Sequence, residues 1–174
     1  MTRRVGPGRP VFAEAALVVG ALAVIGALAG VLWSRLVDPA EFTRLARGGS
    51  MAEEQLSRQF AADGWFVVIG TLAGVLAGVV GTWRRVADPL PRLTLTLLGS
   101  AVAAAACAGV GHLLGPGDPG PLLSAAPVGT RVPERLDVDT FVVYLSWPLG
   151  VLVGTLAVLL GRRTDTNEPG VADH

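Results

Sequence analysis

Few side chains in this sequence can do acid–base or ligand chemistry, and where they stand matters more than how many there are. Glu14, Asp63, His112, Asp137 and Asp139 lie in or beside long apolar runs, with Arg35 near the end of the first run and a single Cys107 inside another. A carboxylate within an apolar run is a candidate proton or cation site, because a charge in hydrocarbon is costly and persists where it is used. Scattered carboxylates with one imidazole are the raw material of acid–base catalysis, but such a set is too common to amount to a constellation. Each residue also has a plainer explanation. Glu14 stands about one turn inside its run, where the helix N-terminal dipole favours an acid and headgroup water is within reach, so an ion pair with Arg85 or Arg92 accounts for it. Asp63 and Asp139 precede apolar runs and read as helix caps, although Asp137 and Asp139 flank Val138 and so can face one solvent site. His112 has no second His near it for a metal, since His174 lies in the tail on the opposite side. Cys107 on its own forms no disulfide, zinc cluster or redox pair and reads as a small packing residue. No catalytic, cofactor-binding or metal-ligating residue is assigned, and no cofactor is expected.

The elements that hold these residues follow from composition. Of 174 residues, 51% are hydrophobic and only 16% charged, whereas soluble domains carry about 25% charged residues. The apolar residues gather in blocks at roughly 11–34, 65–83, 93–114 and 141–160. Each block is near the ~20 residues that cross ~30 Å of hydrocarbon as a helix. Runs of Ala, Leu, Val and Gly without alternation exclude a barrel. The fold class is therefore all-α: a polytopic membrane protein with four transmembrane helices arranged as two parallel-topology hairpins. The second block and the fourth echo each other, Phe66-Val67-Val68 and Gly74-Val75-Leu76-Ala77-Gly78 against Phe141-Val142-Val143 and Gly150-Val151-Leu152-Val153-Gly154.

Lipid tails give helices no hydrophobic reason to associate, so small residues that let backbones approach mark the packing faces. Gly70, Gly74 and Gly78 form the clearest such face and predict the tightest contact in the protein. Gly99, Ala103, Cys107 and Gly111 form a second ladder, and Gly150 and Gly154 a third. In the first block Ala16, Gly20, Ala23, Ala27 and Gly30 are the expected inward face. Trp65 and Trp83 lie about 27 Å apart along a helix, the separation of the two interfacial aromatic belts. Pro148 lacks the backbone donor of an unbroken helix and predicts a kink near Tyr144–Trp147.

Between the first two spans, Asp38-Pro39-Ala40-Glu41 has a cap, a Pro at the first helical position and an acid three residues on, which predicts a short helix to about Arg47. Ser50-Met51-Ala52-Glu53 repeats the pattern and predicts a second, amphipathic helix with Leu56 and Phe60 on its apolar side. Both helices, with Leu45, are expected to lie on the outer membrane surface. The Gly/Pro-rich segment 115–121 reads as a turn-rich loop, and Val128–Val138 as an extended piece or small hairpin over the outer surface.

All 14 basic residues are Arg, balanced by 14 acids. A neutral chain offers no electrostatic footing for a nucleic-acid partner. Segments 1–10, 84–92 and 161–174 hold eight Arg in 33 residues, against six in 56 for 35–64 and 115–140. The positive-inside rule then places both termini in the cytoplasm. The apolar stretch from Val11 to Trp33 exceeds the 7–15 residues of a signal-peptide core, so it reads as a span. The layout is a basic cytoplasmic tail at 1–10, a transmembrane domain at 11–163 and a disordered cytoplasmic tail at 164–174.

At Ala61-Ala62-Asp63-Gly64-Trp65-Phe66, followed by the glycine-stepped span and Arg84-Arg85, the chain resembles a family of uncharacterised four-span membrane proteins of high-GC Gram-positive bacteria. The resemblance implies a plasma-membrane location and brings no catalytic residue, such families being domains of unknown function. The expectation is a non-enzymatic accessory or scaffold subunit whose partners are the lipid bilayer, another membrane protein or further copies of itself. The alternative is a small oligomeric transporter or channel component using Glu14, His112 or Arg35 near the pathway mouths.

Overall fold

The computed structural model describes residues 11–39, 41–45, 48–50, 53–83, 89–138 and 140–165. The expected tail at 1–10, residues 166–174 of the expected tail at 164–174, the Arg84-Arg85 turn and Asp139 lie outside the described residues, while residues 164 and 165 belong to the last helix rather than to a disordered tail. The long helices are α1 (Val11–Leu36), α2 (Glu53–Trp83), α3 (Pro89–Leu114) and α6 (Ser146–Asp165), with short helices α4 (Pro119–Ala125) and α5 (Phe141–Tyr144). Strands β1 (Glu41–Leu45), β2 (Gly48–Ser50) and β3 (Arg131–Pro133) complete the order α1-β1-β2-α2-α3-α4-β3-α5-α6. Four helical stretches are long and apolar enough to cross a membrane, which makes this an all-α membrane protein with a minimal sheet.

The closest packing joins corresponding spans of the two halves, α1 with α3 and α2 with α6. In the second pair Gly74 meets Gly150. A Cβ built on either would stand 3.1 Å from the Cα of the other, and nearer still to a carbonyl oxygen. The contact is reciprocal one turn on, where Gly78 lies against Val151 O and Gly154 against Val75 O. Residues that match in the echo of the two segments thus exchange equivalent contacts, so α2 and α6 pack in parallel about a local two-fold axis. Backbones this close gain dispersion and Cα–H···O contacts that longer side chains would prevent.

The α1–α3 pair is built the same way and is as close. A Cβ on Gly26 would stand 2.7 Å from Ala103 Cα, one on Gly30 3.1 Å from Cys107 Cα, and Gly99 lies beneath Leu22. This corrects the expected inward face of α1 in its first half, while Gly30 is inward as expected. Leu22, Gly26, Gly30 and Trp33 are buried, whereas Ala16 and Gly20 are exposed and nothing lies within 4 Å of a Cβ at Gly20. The face is chosen by complementarity to the Ala103–Cys107 ridge, which the local spacing of small residues in α1 does not encode.

The first interspan loop is a second correction. In place of a helix at 38–47, β1 pairs antiparallel with β2 (Arg44 with Gly49) and with β3 (Phe42 with Val132), in the order β2-β1-β3. The expected amphipathic helix is not separate but forms the first turns of the 31-residue α2. Asp63, inside that helix, is therefore not its cap. Helix α4 contradicts the turn-only reading of its segment: Asp118 Oδ1 accepts from Gly120 N at 2.9 Å and Pro119 sits at the start. The fourth span is interrupted at Leu145, where an N–H at Pro148 would have bonded Tyr144 O.

The bundle is plugged at the end that carries the sheet. Trp33, Phe66 and Trp147 are buried there, with Leu136 and Val138 from the segment after β3 packed onto the same cluster. Trp33 and Phe66 meet edge to face with centroids 5.4 Å apart, and Trp33 Nε1 donates to Ala62 O at 2.9 Å. The opposite end carries Arg92, Arg162 and Arg163, and Arg162 donates to Trp83 O at 3.0 Å.

Candidate functional site

Between residues 15–34, 64–83, 93–111 and 141–161 the spans contain no Asp, Glu, His, Lys or Arg. Acidic and basic side chains are confined to the two ends of the bundle, and they are arranged differently at each.

At the sheet end, His112 occupies the last turn of α3, about a quarter exposed on its side chain. Its Nδ1 is 3.9 Å from Asp137 Oδ2, and its Nε2 is hydrogen-bonded to the Arg135 guanidinium. A guanidinium only donates, so Nε2 is the acceptor and the ring proton sits on Nδ1, facing Asp137. An imidazole with one nitrogen toward a carboxylate and a lone pair on the other resembles an acid–base dyad. Here the nitrogen that would take a substrate proton already accepts from Arg135. What the arrangement does is tie the segment after β3 to α3. Leu136 fits above Gly115, where a Cβ would come 2.7 Å from its own Cβ, and Val138 N donates to Asp137 Oδ1 at 2.8 Å.

The structure brings Asp137 to His112 although 25 residues separate them, a meeting that no local spacing announces. Asp63 does not cap its helix but lies within α2. The described start of the fourth span is capped by Thr140, without a side-chain bond. Among the described residues, no three His, Cys, Asp or Glu side chains form a group that could hold a metal ion.

At the arginine end, Glu14 Oε1 is 3.6 Å from Arg92 Nη1, one of the two pairings expected from the sequence. The residues that missed notice are aromatic and hydroxylic. Trp33 looks like an interfacial anchor at the end of a span and is instead fully buried. Thr96 Oγ1 donates to Arg92 O at 2.9 Å, in the first turns of α3. Cys107 is buried at the α1–α3 contact, as a packing residue.

Comparison of the chain with protein-family models, with curated proteins and with solved structures finds no match.

Proposed function

We propose that this is a non-enzymatic integral membrane protein that acts as an accessory or scaffold subunit. In this reading it lies in the plasma membrane with both termini and the arginine end in the cytoplasm, presenting its sheet end to a membrane-protein partner or a second copy. One observation carries the reading: the helices are spent on glycine-mediated contacts with one another, and the sheet end is closed by Trp33, Phe66, Trp147, Leu136 and Val138. An apolar bundle with acidic and basic side chains only at its ends offers no line of charged side chains for a proton or ion to follow. It does hold a small folded surface at fixed height above the bilayer, with Val128 two-thirds exposed on it.

A photo-crosslinking side chain at Val128 tests this in cells. The expected result is a discrete adduct, either with one other membrane protein or at the mass of a dimer. A strictly monomeric protein with no adduct overturns the proposal. Flux through reconstituted liposomes that was lost when Glu14→Gln and His112→Ala were combined would replace it with the transporter reading.

A further inference from the structure

We propose that the cleft between α1, α2 and α3 at the arginine end is a binding site for one anionic phospholipid, with an acyl chain in the cleft and the phosphate on Arg92. The cleft has a volume of about 370 Å³, within the range of sites that enclose small ligands. It exists because α1 and α2 are joined at the sheet end through Trp33, Phe66 and Ala62, while each packs chiefly on a different partner. Toward the arginine end the gap between them is walled by Leu17 and Ala21 of α1 and Leu76 and Ala77 of α2, with Thr96 and Arg92 of α3 also lining it. The two alanines leave the space open. Leu17 and Leu76 are 66% and 65% exposed, so the cleft opens sideways, toward the bilayer.

The chemistry of the lining selects the occupant. Water or a polar ligand would find no partners along Leu and Ala walls, whereas a hydrocarbon chain loses nothing by entering them. Thr96 spends its hydroxyl on the carbonyl of Arg92, which leaves the guanidinium as the charged donor at the mouth. Arg92 is only 20% exposed on its side chain. Glu14 approaches it at 3.6 Å, beyond hydrogen-bond length, and is itself 61% exposed and not part of the cleft lining. The carboxylate therefore orients the guanidinium without using up its five donors. A phosphate diester matches that fork.

The test uses the full-length protein, exchanged in mild detergent into equimolar phosphatidylglycerol and phosphatidylcholine, with bound lipid counted by native mass spectrometry. Wild type is expected to retain one phosphatidylglycerol per chain, preferred about fivefold over phosphatidylcholine, the effect of a single Arg beside an anionic headgroup. Arg92→Gln should bring the two lipids to parity. Ala21→Phe, which fills the cleft without touching a charge, should reduce retention of both, with helicity and melting temperature unchanged. Equal retention by wild type, or a phosphatidylglycerol preference that survives both substitutions, overturns the proposal. Should Arg92→Gln fail to fold, the wild-type preference and the reduced retention of both lipids by Ala21→Phe still decide it.

Discussion

Trp33 joins two helices by two different means, an edge contact with Phe66 and a hydrogen bond to Ala62 O, both in an apolar interior. The two can be separated. Trp33→Phe keeps most of the packing and loses the bond, so it should cost about 1 kcal/mol. Trp33→Ala also opens a cavity and should cost about 3–5 kcal/mol, both read from thermal melts in detergent. A smaller loss for Trp33→Ala than for Trp33→Phe would mean that the ring is not in the core. His112 belongs to a different regime, because it and Asp137 are 28% and 59% exposed on their side chains and water screens them. His112→Ala should leave the melting temperature within about a degree or two, matching less than ~0.5 kcal/mol. Its effect should instead be local, as faster amide exchange over residues 134–138. Global destabilisation would show that the dyad supports the bundle rather than the loop. At this scale the sequence was half readable. Glu14 near the start of one span and Arg92 near the start of another must lie at the same membrane depth, so their pairing could be anticipated. Asp137 reaches His112 only because β3 and Leu136 fold its loop back over α3, and that path is not written in the neighbours of either residue.

The same dipeptide marks the limits of local reading at the scale of elements. Asp38-Pro39 and Asp118-Pro119 both carry the cap-then-proline signature of a helix start, yet a strand follows the first and a helix the second. The difference is what each segment meets. Glu41–Leu45 finds pairing partners on both edges, Gly48–Ser50 and Arg131–Pro133, and Arg131 lies 3.7 Å from Glu41, so tertiary hydrogen bonding outweighs a cap. The segment after Asp118 has no strand partner among the described residues, and its local signal prevails. Thr43 sits at the point where β1 pairs with both neighbours, opposite Ser50 and Arg131. Thr43→Pro removes a donor from the central strand and should abolish amide protection across β1 and β3 while the spans keep theirs. Protection lost in the spans as well would mean that the sheet is part of the bundle's stability. The spans themselves were fully legible, because hydrocarbon thickness and backbone satisfaction leave a single solution for such runs. Which face of α1 turns inward was not, because it depends on a partner helix some 77 residues away.

For the whole molecule the organising fact is the reciprocity of Gly74 with Gly150 and of Gly78 with Gly154, which makes the α2–α6 seam behave as a dimer interface within one chain. Overpacking there should be costly. Gly74→Leu drives a side chain into Trp147 O and Gly150 and should destabilise the bundle by at least about 2–3 kcal/mol, whereas Val75→Leu, at a partly exposed position, should cost far less. Equal effects would place the seam elsewhere. The same parallel pairing fixes a relation that a labelling experiment can read. Since α1 runs alongside α3 and α2 alongside α6, the start of α1, the end of α2, the start of α3 and the end of α6 share one end of the molecule, and the sheet occupies the other. Arg92, Arg162 and Arg163 lie at the shared end, and the proposed cytoplasmic orientation of that end rests on the greater Arg density of segments 1–10, 84–92 and 161–174, read by the positive-inside rule. Cys107 is buried, so a single introduced thiol can report its own side. Val128→Cys on the sheet side should react with a membrane-impermeant maleimide in intact cells, and Gly161→Cys at the exposed end of α6 only after lysis. The opposite pattern reverses the orientation and would move the proposed lipid site to the outer leaflet. Labelling of both thiols in intact cells would mean that the spans do not separate two compartments at all.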